Sequence, residues 1–416
     1  MLMGQASEGG KVNGRHFEVD LFDNLDRKVV QAVMEDSADG FALTPFQRRG
    51  FVDAFYRHAA QSHRPLLVRV RARGEGRTAM LLPLLLRNGA LRSIEATDLG
   101  LSDYVAPVMA DWFDPRPAEM QRIWKKILHA LPPADVVSLK KMPELIGQGR
   151  PNPLLMLPHV SDMSIGTKTL DLRHPEAPTH YRRSGLYKDG MRQLRKLREI
   201  GEVEFRIAAT RDEALDRFDD LVAQRMERFR ALGRPDALTR PEVQAFYSEI
   251  IADGVSNGSV MFGGLYLDGK CIATDLGLIE NDTHHGIFTS MCEGDLRRYS
   301  PGTIAFMLIL DETVARGIGY YDIGVGEFPY KDRLEGSRMR LFEHHQALSL
   351  RGHAALAEAA VRRAVRSGLA RYPALRPSAE RLRQRLRRFR NWSPVAAAGV
   401  LEWPGLAQLA HVVGSA

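Results

Sequence analysis

The stretch from Ser259 to Gly326 limits the fold more than any other part of the chain. Three runs with strand patterning, "SVMFGGLYLDG", "KCIATDLGLIEND" and "THHGIFTSMCEG", are joined by short turns. A helical segment, "SPGTIAFMLILDETVARG", then leads to another strand, "IGYYDIGVG". The order is an antiparallel meander followed by a crossover helix to a further strand, which is the order of a mixed α/β sheet.

The rest of the chain supports an α/β reading. Upstream of the meander, "YRRSGLYKDGMRQLRKLREIG" reads as a basic helix and "EVEFRIA" as a strand. Two more helices follow, the first with Leu215, Phe218, Leu221, Val222, Arg225 and Phe229 along one side. In the first third, Thr44-Pro45 can open a helix carrying Phe46, Phe51 and Phe55. "PLLVRVRARGEGRTAMLLPLLL" reads as a hairpin, and "RPAEMQRIWKKILHAL" as an amphipathic helix with Met120, Ile123, Ile127 and Leu131 on its stripe. "ADVVSLKKM" is a buried strand. At 416 residues there is room for two or three domains.

Charge is unevenly placed. The chain carries +7, but residues 362–390 hold eleven Arg against the single acid Glu380, so the remainder nets −3. The basic balance describes a tail, and nucleic acid is not the expected partner of the main body. No apolar run approaches the length of a membrane span; the densest is "AMLLPLLL". The first residues lack a signal-peptide core, and the two cysteines, Cys271 and Cys292, fit no zinc spacing. A cytoplasmic, reducing setting is expected, with peripheral membrane contact through the Arg-rich tail.

The start of the crossover helix is the first candidate site. Ser300 is a good N-cap, Pro301 suits the first helical position, and Gly302 and Thr303 follow. Unpaired N–H groups at such an end can hold a phosphate, with Arg297 and Arg298 adding charge. An ordinary capped helix beside a solvated Arg pair explains the same residues.

The combination "SPGT…ARGIGYYDIGVGEFPYKDRL" resembles the CelD/BcsL-type GNAT acyltransferases, bacterial proteins linked to cellulose and exopolysaccharide synthesis. The matching positions are Ser300, Pro301, Gly302, Asp322, Gly324, Gly326, Tyr330 and Lys331. "QRMERFRALGR" and the early "TPFQRRGF…LSDYVAP" are also similar, so the resemblance covers residues 40 to 345. The usual GNAT loop, Arg/Gln-x-x-Gly-x-Gly/Ala, is replaced by "RRYSPGT". The resemblance implies two tandem GNAT-like domains with mixed, mainly antiparallel sheets, distantly similar to the Fem peptidyltransferases. A degenerate copy at 17–165 would precede the working domain at 166–350. A disordered stretch at 1–16 and a basic helical extension at 351–416 would flank them. It implies acetyl-CoA or another acyl-CoA as co-substrate, held by Arg297, Arg298, Ser300, Gly302 and Thr303, and no metal.

Acyl transfer needs a polarised carbonyl, a base for the nucleophile and an acid for the thiolate. Asp322, at the end of the crossover strand, is a candidate base, although a turn-forming Asp is an equal reading. Asp275 sits mid-strand, where an acid needs a cleft or a partner. His284 and His285 alternate faces, so one points inward and one outward. Tyr330 can protonate a thiolate and Lys331 can hold an anionic group, or they can be a packed ring and a solvated amine. Arg225 is an acceptor ligand or a buried ion pair. Asp103 and Tyr104 can line an acceptor cleft from the first half. The expected activity is N- or O-acyl transfer to a small-molecule, sugar or lipid-linked acceptor. The alternatives are a weakly catalytic scaffold for a polysaccharide synthase and a Fem-like aminoacyl transferase using charged tRNA.

Overall fold

The computed structural model describes residues 16–371 apart from 24, 26, 36–39, 148, 174–176 and 327–328. The expectations for residues 1–15 and 372–416 lie outside the described residues. Among those described, one 14-stranded mixed sheet forms the frame.

The first half contributes β1 (Phe17–Phe22), α1 (Arg27–Glu35), β2 (Phe41–Ala42), α2 (Arg49–Ala54), β3 (Arg64–Ala72), β4 (Thr78–Arg87), β5 (Ser93–Ala96), β6 (Val108–Ala110), α3 (Pro117–Ala130) and β7 (Val136–Pro143). A small separate ribbon, β8 (Leu145–Ile146) and β9 (Arg150–Pro151), leads to the long β10 (Val160–Asp171). The second half runs α4 (Ala177–Arg183), α5 (Gly185–Arg198), β11 (Val203–Ile207), α6 (Arg211–Ala231), α7 (Pro241–Asn257), β12 (Val260–Leu267), β13 (Lys270–Glu280), β14 (Thr283–Met291), α8 (Pro301–Ala315), β15 (Tyr320–Val325) and β16 (Ser337–Ala347). α9 (Leu350–Arg371) follows. The expected helix at 181–200 is divided at Ser184, whose hydroxyl caps α5 by accepting from the Tyr187 N–H at 3.1 Å.

The two halves repeat one pairing scheme. β1–β3–β4–β5 is antiparallel throughout and β5 then pairs in parallel with β7. β11–β12–β13–β14 is antiparallel throughout and β14 pairs in parallel with β15. A crossover helix, α3 or α8, forces the parallel pair in each case. The halves then exchange strands. β10, which follows the first half, pairs with β15 of the second, and β16, from the end of the second, pairs with β7 of the first. β10 and β16 also pair with each other, closing the sheet at its centre. The boundary expected at 165/166 falls inside β10.

Helices cover both faces. α1, α2, α6 and α7 share one core that crosses the halves, with Phe51 edge-on to Phe246 at 5.0 Å and Phe46, Phe55, Phe218 and Phe262 buried around them. On the other face α3 packs over the first half through Met120, Ile123, Trp124 and Ile127. α8 packs over the second through Ile304, Phe306, Ile309 and Leu310. The stripe expected on α6 is rotated: Ala214, Arg217, Phe218, Leu221 and Gln224 are its buried residues. Buried Arg217 is accommodated because it donates to the Phe262 carbonyl and to the Tyr266 hydroxyl at 3.2 Å. No described helix is long and apolar enough to cross a membrane.

Candidate active site

β14 and β15 stay together for three pairs, Thr283–Tyr320, His284–Tyr321 and His285–Asp322, and then part. β14 continues to Met291 beside β13. β15 turns away through Gly324 (φ +79°) and Gly326 (φ +112°), left-handed positions that a side chain would strain. These glycines shape a turn. The wedge they open has the start of α8 on one side, where Gly302 lies against Thr289 and Met291.

On the face of the sheet covered by α6 and α7, Asp322 is the hub. It is 2% exposed and accepts hydrogen bonds from the Tyr104 and Thr167 hydroxyls, from the Gly324 N–H at 3.0 Å and from His285 Nδ1 at 3.1 Å. Burial alone would raise its pKa; the donors, led by His285, reverse this and hold the carboxyl below its ordinary value. An ionised Asp322 places the proton of neutral His285 on Nδ1, which leaves Nε2 as an acceptor. The His285 side chain is 14% exposed, whereas that of Asp322 is 3% exposed. Asp322 therefore orients, and His285 is the group a substrate can reach.

Asp103 and Tyr104 come from the first half. Tyr104 is buried and Asp103 accepts from the Val325 N–H at 3.3 Å, gripping β15 where it turns. Burial raises the Asp103 carboxyl above its usual range, nearby Lys141 counters this, and Asp322 adds to the rise. Arg225 stacks over Phe288 at 4.6 Å and pairs with Asp236 at 2.5 Å, so the ion pair foreseen for it is present.

On the face covered by α8, Asp275 is 1% exposed and accepts from the Thr289 hydroxyl at 2.7 Å, with the Tyr321 hydroxyl at 3.5 Å. Burial pushes its pKa up to about 7, against the opposing effect of those two hydroxyls. Tyr330 is 39% exposed but packs its ring against Phe306 at 6.0 Å between ring centres, and partial desolvation together with nearby Asp275 keeps its phenol protonated. His284 shares this face and is a core residue. It is bonded to Thr313 through Nδ1 at 2.8 Å and pushed down to about 3 by burial, so it stays neutral.

Two expectations change. Ser300 stands at the N-cap position of α8 but has left-handed backbone (φ +51°) and makes no side-chain cap bond. Its carbonyl instead accepts from Thr303 and Ile304 N–H at 2.9 and 3.2 Å. Lys331 is not the solvated amine of one of its two readings. It is 5% exposed, and its ammonium donates to the Gly324 carbonyl at 2.8 Å, pinning the turn. In the loop before α8, Arg297 pairs with Glu293 at 2.8 Å, and Arg298 is exposed and stacks over Tyr299. The residues that sequence reasoning did not single out are Thr167, Thr289 and Tyr321. Strand alternation separates His284 from His285 but does not say which faces the cleft; the partner Thr313 on α8 does.

Residues 186–332 match the family described as Acetyltransferase (GNAT) domain. No curated protein matches the sequence. Among solved structures, FemX is similar over 78% of this chain and 97% of its own, with a TM-score of 0.51 at 7% identity. A tandem GNAT protein from the clavulanic acid biosynthesis pathway is similar over 80% and 99%, with a TM-score of 0.45 at 15% identity. L-PGS from Bacillus licheniformis gives 80% and 96%, 0.48 and 10%. The FemX likeness speaks to fold. The family match lies in the second half, and the first half repeats its pairing scheme, so the fold is two GNAT-like halves in tandem. Among the described residues no cluster could hold a metal ion.

Proposed function

We propose that the second half transfers an acyl group from an acyl-CoA, acetyl-CoA in the first instance, to an amine or hydroxyl acceptor. The observation that carries this reading is the wedge between β14 and β15. It has a reachable His–Asp pair on one face, a buried carboxyl with a raised pKa on the other, and a helix N-terminus at its side.

The residues present fit a phosphate group at α8. The Gly302 N–H has no acceptor among the described residues, and a Cβ on Gly302 would meet nothing closer than 3.5 Å. The helix end favours negative charge, and Arg298 with Thr303 can add donors. Arg297 is already balanced by Glu293 and contributes less. When bound, the co-substrate supplies an activated thioester carbonyl. His285 Nε2 then takes the proton of the acceptor while Asp322 holds the ring and steadies its charged form. Tyr330, exposed on the other face, is the proton donor available to a leaving thiolate, and Asp275, with its pKa near neutrality, is a buried acid on the same face. Asp103, Tyr104 and Arg225 border the acceptor side. The motif resemblance supports an acceptor from exopolysaccharide or envelope synthesis, a sugar or lipid-linked group. The same reading puts the Arg-rich tail against an anionic membrane or a synthase.

The test is acetyl-CoA binding by calorimetry to the native chain and to Gly302→Glu, which sets a carboxylate where the phosphate should lie. A loss of at least about a hundredfold in affinity is expected, in line with one buried like-charge contact. Equal affinities overturn the placement. A second reading, aminoacyl transfer from charged tRNA, draws on the FemX likeness in fold. Binding of charged tRNA with no binding of acetyl-CoA would put it first.

A further inference from the structure

The first half contains a counterpart of the wedge, and its own chain fills it. In the second half β14 runs beside β13 past the point where β15 leaves. In the first half the equivalent strand is interrupted. β5 pairs with β4 as far as Leu84–Ala96 and stops; β6 resumes the same edge at Met80–Met109, where an unbroken strand would bring Gly100. Residues 97–107 are thrown out between them, turning at Leu99 and Gly100, both of positive φ. This loop carries Asp103 and Tyr104 across to β15.

One residue grips the loop at several points. Lys141 lies on β7, three residues beyond the last β5–β7 pair, Glu95–Ser138. Its backbone is left-handed (φ +57°) and it is 9% exposed. Its carbonyl accepts from the Val105 N–H at 2.9 Å. Its ammonium donates to Asp98 Oδ1 at 2.7 Å and to the Ser102 carbonyl. The Ser102 hydroxyl closes the loop onto the Thr97 carbonyl at 2.9 Å. Without the ammonium, the described bonds from Lys141 to this segment reduce to the single Val105 contact. Gln47 Nε2 donates to the Tyr104 carbonyl at 3.0 Å and the Tyr247 hydroxyl to the Leu101 carbonyl at 3.2 Å, and Lys141 adds a charged anchor at Asp98 and Ser102, where these two make no bond.

We propose that Lys141 is a positioning residue for the reaction of the second half. It fixes the loop so that Tyr104 and Asp103 hold Asp322 and the turn of β15, and through them the tautomer of His285. The first half thus serves the second: the chain that leaves its sheet after Ala96 becomes the brace of the second half's site. The effect on turnover rests on the acyl-transfer reading; the effect on His285 does not.

The experiment uses the full chain labelled with ¹⁵N-histidine, the His285 signal being the one lost in His285→Gln. The native protein should show the Nδ1–H tautomer. Tyr104→Phe, which removes one oxygen at the far end of the loop, sets the size of a full loss. Lys141→Met should move the His285 signal in the same direction. Its kcat with acetyl-CoA and an accepted acceptor should fall about tenfold to a hundredfold, with KM for acetyl-CoA within about twofold. A native His285 signal together with native kcat in Lys141→Met overturns the proposal. If the native protein turns over no acyl-CoA, the acyl-transfer reading fails and the histidine signal alone judges Lys141. Should Lys141→Met not fold, Lys141→Gln, which keeps one donor group, replaces it in both readouts.

Discussion

Replacing Asp322 by Asn separates an orienting carboxylate from a catalytic one. The native carboxylate takes Tyr104 and His285 on Oδ2, and Thr167 and the Gly324 N–H on Oδ1. An amide has one acceptor oxygen. The fixed Gly324 N–H claims it, so the NH₂ faces Tyr104 and His285. Tyr104 can rotate its hydroxyl, but His285 must turn Nδ1 into an acceptor, which moves its proton to Nε2 and removes the lone pair. The general-base contribution, about 10²–10⁴ in rate, should be largely lost. We expect kcat to fall by at least about 10² with little change in KM for acetyl-CoA. Stability should fall by roughly 1–3 kcal/mol, because a buried hydrogen-bond network loses an acceptor oxygen. The pH dependence has a definite sign. The folded pKa of Asp322 lies below the unfolded value of 3.8, so its contribution is present above that value and is lost as pH falls through the folded pKa. The Asn variant should lack this part of the acid-side loss in urea unfolding. The decisive assay is a double-mutant cycle with His285→Gln. If Asp322 acts through His285, the double variant is no slower than the worse single one. Multiplicative losses, or a kcat within twofold of native in Asp322→Asn, refute the orienting role.

Asp275→Asn should lower turnover yet stabilise the fold at pH 8 and leave it unchanged at pH 4. The raised pKa of about 7 means its stabilising, protonated form is full below 3.8 and lost as pH rises toward 7, a difference of at most roughly 4 kcal/mol by urea titration. Gly277→Ala should destabilise by about 3 kcal/mol, because a Cβ there would overlap His284 Nε2 on a ring already tied to Thr313. Removing residues 372–416 should abolish flotation with anionic vesicles while leaving acetyl-CoA affinity unchanged; unaltered flotation would sink the proposed docking of the tail.

The sequence carried the second half's frame because its signals are local. Periodicity placed β12 to β14, α8 and β15, and the glycines at 324 and 326 marked a turn rather than a phosphate loop. Local signals also misled. Ser300 has the right identity for a cap, but the short helical turn at Asp295–Tyr299 delivers the chain into Pro301 with Ser300 left-handed. Lys331 reads as a surface residue by type; only the turn of β15, distant in contacts though near in sequence, shows that its ammonium has a carbonyl to meet. Thr167 could not be found at all, since it reaches Asp322 through a strand exchanged between halves. Nothing in a strand's sequence names its partner strand.

That exchange also explains why the site cannot belong to one half. β15 is flanked by β14 from its own half and β10 from the stretch that follows the other, and Asp322 draws donors from both neighbours and from the loop of the first half. A single half would present β7 or β15 with one edge unpaired, which is a pairing hazard as well as a loss of the site. Sharing β10 and β16 therefore couples the two halves physically. Once β10 and β16 are shared, the first half is held in place whether or not its own wedge stays open. Its strand beside that wedge is then free to leave the sheet, and the loop formed by residues 97–107 is where it went.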